Sequence, residues 1–161
     1  MDGFLSWMEA SALGAFVRES GTWTYAIVNL FHVLGIASLF GSILILDLRL
    51  LGLWRRVPLA ALASAVQPVA SVGLAVALLT GVALLATNAT EYIGNPFFLI
   101  KFPAIALGLV NVAALNLSSA WRVRGQRELS RGETRVLQVI GATSLVCWST
   151  AVAAGRMIGY W

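Results

Sequence analysis

The chain has 161 residues, of which 59% are hydrophobic and only 11% charged, with a net charge of +4. A water-soluble domain carries about 25% charged residues, so a solvated globular surface is excluded. The basic balance does not signal nucleic acid either, because most of its cations sit in two clusters between apolar runs: Arg49, Arg55 and Arg56, then Arg122, Arg124, Arg127, Arg131 and Arg135.

In chain order, residues 1–20 come first. They have an acidic start at Asp2, no basic leader and no long apolar core, unlike a signal peptide. Phe4, Trp7, Met8, Leu13, Phe16 and Val17 recur at helical spacing, which predicts one amphipathic helix lying on the membrane surface. Gly21 ends it and Thr22 caps the first span. Four apolar runs then cover about 22–46, 68–86, 96–118 and 136–158. A helix rises about 1.5 Å per residue, so about 20 residues cross the ~30 Å hydrocarbon core. Inside lipid every backbone amide must be satisfied within its own segment, so runs of this length are helices. The alternation of a membrane barrel is absent.

Between the spans, Pro58 predicts a short helix from Leu59 to Val66, and Pro68 either begins the second span or kinks a longer helix. Thr87 to Gly94 reads as a short polar loop, and Asn95-Pro96 starts the third span. Trp54 and Trp121 mark one interface; Trp23, Tyr92, Tyr160 and Trp161 mark the other. Cys147 is the only cysteine, so no disulfide forms within the chain, and its expected role is packing. Asn88-Ala-Thr90 matches a glycosylation tripeptide, a pattern common by chance. The expected fold is an all-α integral membrane four-helix bundle, one domain, with helices adjacent in sequence lying antiparallel in space. The basic loops place themselves in the cytoplasm and both termini outside. Membrane lipids are the first partners; other membrane subunits or a second copy are the next. The loop Arg122–Arg135 has no interleaved aromatics, so no nucleic-acid partner is expected.

Polar residues inside the spans carry what chemistry there is. At 100° per residue, Tyr25, Asn29, His32, Gly35, Ser42 and Asp47 share one face of the first span, with Leu30, Leu34, Ala37, Gly41, Leu44 and Leu48 opposite. Lys101, Gly108, Asn111, Asn116 and Ser119 line the third, and Ala142, Ser149, Ala153, Arg156 and Tyr160 the fourth. Polar atoms facing lipid are costly, so these stripes should meet at a common axis. Lys101 and Arg156 lie about one turn inside the outer ends of their helices, with His32 deeper. Two inward cations above one imidazole suit an anionic, partly apolar ligand. Haem b fits, with His32 as axial metal ligand and its propionates on the cations; a quinone headgroup bonded by His32 also fits. Tyr25, Asn29, Asn111, Ser149 and Tyr160 complete the candidate cofactor site. With one histidine, a bis-histidine haem within the chain is impossible, and Met157, an open position or a second chain must supply the sixth ligand. The plainer readings are an interhelical hydrogen bond for His32, snorkelling for Lys101 and Arg156, and an interfacial ion pair for Asp47 and Arg49. No Cys/His metal spacing, phosphate-binding glycine loop or nucleophile elbow is present.

His32-Val-Leu-Gly35-Ile-Ala37, Gly41, Asp47-Leu-Arg49-Leu-Leu-Gly52, Asn95-Pro96-Phe97-Phe98 with Lys101, Asn111, and Gly155-Arg156 with Tyr160 together resemble a family of small bacterial inner-membrane proteins classed as a domain of unknown function. The resemblance covers about Tyr25 to Tyr160. It implies four spans in the bacterial inner membrane, where the charge asymmetry makes the termini periplasmic, and a distant similarity to copper-resistance-D-type and cytochrome-b-type bundles, which is likeness of fold alone. Two positions depart from the pattern: an acidic residue often stands at Asn29, and a histidine often ends the third span near Ser119 to Trp121. The resemblance carries no settled activity; from the polar residues and apolar faces of the spans three functions are expected: a redox-associated subunit binding haem b or quinone near the outer face, a scaffold or assembly subunit of a larger membrane complex, and transport of a metal or small solute.

Overall fold

Capping side chains set the helix starts. In the computed structural model, which describes residues 2–161, Ser11 accepts from the Gly14 amide to open α2 (Ala12–Glu19), after α1 (Asp2–Glu9). Asn95 accepts from the Phe97 and Phe98 amides, with Pro96 next, to open α5 (Pro96–Leu117). Ser130 and Glu133 cap each other's backbone in a reciprocal box at the start of α7 (Arg131–Met157). Between them lie α3 (Thr22–Leu51), α4 (Leu59–Thr87) and the short α6 (Ser119–Arg122), with 3-10 turns at Ala89–Tyr92 and Ile158–Tyr160. Among the described residues the fold is all-helical, and four of its helices are long and apolar enough to cross a membrane.

Three boundaries differ from those expected. The single surface helix over residues 1–20 is two short helices, because Ser11 restarts the chain with its own cap. Of the two readings of Pro68 the structure has the longer helix: the second span does not begin at Pro68, and α4 runs unbroken from Leu59 to Thr87 with Pro68 inside it. Its N-terminal turns contribute Leu59 and Ala63 to a buried cluster with Leu46, Leu50, Leu115, Trp121 and Leu137, so packing holds the segment helical through the proline. At the other side of that cluster α3 continues to Leu51, where Gly52 takes a left-handed conformation (φ 111°) and donates back to the Arg49 and Leu48 carbonyls.

The helices do not pack in the simple round of their sequence order. α4 lies along α3, α3 against α7, and α7 against α5; α4 and α5 form no comparable seam. The order across the bundle is therefore α4–α3–α7–α5. The α3–α4 seam is the closest, because Gly35 and Gly73 face each other. A Cβ on Gly73 would lie 2.6 Å from the Leu39 nitrogen and 2.8 Å from the Gly35 carbonyl.

Both termini lie at one end. α1 and α2 dock there on the last turn of α4 and the turn after it, with Leu5 buried beside Ala89 and Phe98 and packed with Ile158. Arg18 donates to the Thr87 carbonyl at 2.8 Å, and Glu9 accepts from both the amide and hydroxyl of Thr90 at 2.7 Å. These helices expose Phe4, Trp7 and Phe16, the apolar side suited to a membrane interface.

The glycine seam and the terminal dock each make a prediction. Gly73→Ala forces backbone apart and should cost about 1–3 kcal/mol in detergent unfolding, whereas Gly41→Ala, with open space at its Cβ, should be neutral or slightly stabilising. Equal effects of the two would show that the seam is not tightly closed. The Thr90 hydrogen bonds hold the Glu9 carboxyl below its usual range. A carboxyl lowered on folding stabilises the docked state above its unfolded value, and that contribution is lost as pH falls through the folded value. Protection of the Thr90 amide from exchange should therefore fall below about pH 4, near the ordinary glutamate range. In Glu9→Gln it should be weak and independent of pH; unchanged protection in that variant would remove Glu9 from the dock.

Candidate functional site

α7 is the element that positions the interior. Its buried face is Leu137, Gly141, Ser144, Cys147, Trp148, Ala151 and Ala154. Ala142, Ser149, Ala153, Arg156 and Tyr160, expected inward, are all exposed. That stripe takes its phase from small and hydroxyl residues, which tolerate either side of a membrane helix; the large Trp148 sets the true phase. It is packed with Leu39 and Ile43 of α3, while Gly108 of α5 leaves room for its ring, a Cβ there lying 3.0 Å from Trp148 Cε2.

On α3 the expected stripe holds only over the inner half. Gly35, Ser42 and Asp47 are buried, but Tyr25 and Asn29 are exposed, as is Tyr25's neighbourhood on the helix, including Ile27 and Leu30. On α5, Gly108 and Asn111 are buried and Lys101 is half-buried, while Asn116 and Ser119 are exposed. Asn111 donates to the Ile140 carbonyl at 3.0 Å, tying α5 to α7. Exposed polar residues thus lie toward both ends, Tyr25 and Asn29 near the termini and Asn116 and Ser119 near the basic loops, while Ser42, Asp47, Asn111 and Ser144 between them are buried.

His32 is half-buried on the α3–α4 seam. Its Nδ1 lies 3.0 Å from the Thr80 hydroxyl, and Gly81 makes room for the ring, with a Cβ there lying 2.9 Å from Cε1. The Thr80 hydroxyl donates its proton to the Val76 carbonyl at 2.6 Å. An oxygen whose proton is committed can only accept, so Nδ1 carries the imidazole proton and donates to Thr80. In the neutral ring Nε2 is then the nitrogen without the proton, and the Ala77 backbone is a further hydrogen-bond partner of the ring.

Lys101 lies close enough to act electrostatically on His32. Its Nζ sits beside Gly155 of α7, 3.5 Å from where a Cβ would be, and it has no hydrogen-bond or ion-pair partner among the described residues. A charge held in a span costs roughly 2.5–3.5 kcal/mol at mid-membrane and less toward the interface, so an uncompensated ammonium here favours an anionic or carbonyl ligand. Arg156 does not join it. Its guanidinium donates to the Tyr160 hydroxyl and lies over that ring, 4.5 Å from the centroid. Tyr25 interacts with Tyr92, which stacks on Phe98 one turn from Lys101. Of the expected site residues, His32 and Lys101 lie within electrostatic reach of each other but on different seams, α3–α4 and α5–α7; Asn111 is deeper, and Tyr25, Asn29, Ser149, Arg156 and Tyr160 are exposed.

Thr80 escapes a reading of the sequence because the second span looks featureless. Hairpin register holds the signal: His32 lies nineteen residues before the end of α3 and Thr80 twenty-one after the start of α4. The expected ion pair between Asp47 and Arg49 is not formed. Arg49 donates instead to the Val57 and Arg55 carbonyls, and Asp47 is 3% exposed with Oδ2 unpartnered.

With this geometry in place, the comparison with protein families is decisive on one point. The chain belongs to the family of unknown function DUF6644, matched over residues 4–161. Comparison with curated proteins and with solved structures gives no match. The DUF6644 match spans all four candidate membrane helices and both site residues of the outer half.

As the only histidine, His32 gives an unambiguous nitrogen resonance. In neutral protein its Nδ1 should be protonated and Nε2 bare. Thr80→Val should remove one of the ring's two hydrogen-bond partners, the Ala77 backbone being the other, at a cost of about 1 kcal/mol. A bare Nδ1 in the native protein would contradict the assignment.

Proposed function

We propose that this membrane protein is a redox-associated subunit whose outer half binds a quinone headgroup and exchanges electrons with a partner subunit in the same bilayer. The observation that carries the reading is the His32 imidazole, its Nδ1 on the Thr80 hydroxyl, within electrostatic reach of the unpaired Lys101 ammonium; in this proposal Nε2 is the acceptor. A quinone carbonyl accepts from an ammonium, and a quinol hydroxyl donates to an imidazole lone pair. One donor and one acceptor match both redox forms of such a headgroup.

Haem b would use the same lone pair on iron. It asks for more: a second axial ligand, and cations for two propionates, of which Arg156 is turned onto Tyr160. The quinone reading uses only what the two residues offer. In this proposal the basic loops face the cytoplasm and the termini the periplasm of a bacterial inner membrane, by the positive-inside rule. A reporter at Gln126 found outside would reverse that orientation.

Protein purified in mild detergent should bind a short-chain water-soluble quinone. His32→Ala and Lys101→Met should each weaken binding about tenfold, equivalent to about 1.4 kcal/mol, with helical content unchanged. A Soret band in the purified protein would replace quinone by haem. Neither a band nor quinone binding would leave the scaffold role.

A further inference from the structure

We propose that Asp47 is a proton-exchange site in the inner half of the bundle, separate from the outer His32–Lys101 pair and not dependent on what that pair binds. Asp47 is a carboxyl on a membrane-crossing helix, 3% exposed, with Oδ2 buried and unpartnered. Ionisable groups in that setting are rare unless paired or used. Its surroundings explain why it is unpaired. Across the seam, α7 presents Gly141, whose Cβ position is 3.3 Å from the backbone oxygen of Asp47, and Ser144, whose hydroxyl is the side-chain donor in reach of the carboxyl.

Among the described residues, every charged group at that end is engaged elsewhere or lies at the rim. On α3, Arg49 is held by the Val57 and Arg55 carbonyls, and Arg55 by Gly52. Before α7, Arg127 pairs with Glu133; on α7 itself Arg131 and Arg135 are exposed. Near α6, Arg122 donates to the Leu117 carbonyl, and Arg124 to the Trp121 carbonyl while lying 3.9 Å from that ring's centroid. The α4 helix carries no charged residue, and the one charged residue of α5, Lys101, is at the other end.

The chemical class of the ligand is set by the donor count. A metal cation needs several oxygen or nitrogen ligands, and among the described residues no three His, Cys, Asp or Glu side chains come together. A proton needs one carboxylate oxygen: it adds to Oδ2 and leaves by the same atom, with no other bond changed. The nearer end is the basic-loop end, because Asp47 lies only four residues from the end of α3, with Leu46, Leu50, Trp121 and Leu137 clustered there. Four residues are about 6 Å of helix.

Infrared difference spectra of the full chain in detergent, recorded while pH is cycled, test this. The native protein should show the carbonyl stretch of a buried carboxylic acid that appears and disappears with pH and shifts in deuterated water. Asp47→Asn should lack it entirely. Ser144→Ala keeps the carboxyl and should show the same band with its midpoint displaced, which decides the matter should Asp47→Asn fail to fold. Native and Asp47→Asn spectra that superimpose at every pH overturn the proposal, as does a band whose midpoint Ser144→Ala leaves unmoved.

Discussion

The seating of Trp148 between α3 and α5 is the contact on which the arrangement rests. Within lipid there is no hydrophobic gain in bringing helices together, since the tails are as apolar as leucine; association comes from fit and from hydrogen bonds. Trp148 supplies the fit on both sides at once. Its ring packs with Leu39 and Ile43, and Gly108 of α5 leaves the space it needs. Asn111 adds the hydrogen bond one turn further in. Because α7 is fixed to both neighbours at this level, α3 and α5 are held apart, and each turns its own polar residues toward a different environment.

Below Trp148 the bundle closes on Leu46, Leu50, Leu115, Trp121 and Leu137, with Asp47 and Ser144 just above that layer. Toward the termini, α3 leans on α4 through Gly35, Gly73 and Gly81, and its face is left partly uncovered at Tyr25 and Asn29. His32 and Lys101 fall in this outer part. The two levels are chemically different: a donor–acceptor pair outside, and an isolated carboxyl inside.

Much of this is legible in the sequence. Span number, helical character and the inward face of the first helix near Gly35, Ser42 and Asp47 follow from run length, backbone satisfaction and the cost of polar atoms in lipid. Lys101 with His32 is legible for the same reason. The phase of α7 is not, because Ala, Ser and Gly stand on all its faces and Trp148 can be read as an interfacial anchor as easily as a wedge. Nor is the missing α4–α5 seam: loop lengths specify which helices are connected, and only side-chain fit specifies which of them touch. Placing Thr80 opposite His32 requires the register of a hairpin whose second helix starts at Leu59, not at Pro68.

The central claim is a bundle that buries Ser144 beside Asp47 and leaves Asn29 uncovered toward the termini. Thiol labelling tests it most directly, in a Cys147→Ser background so that no native thiol competes. Asn29→Cys should react quickly with a small, membrane-impermeant maleimide added from the terminal side, and Ser144→Cys should stay unmodified until the protein is unfolded. Modification of Ser144→Cys as fast as Asn29→Cys would contradict the account.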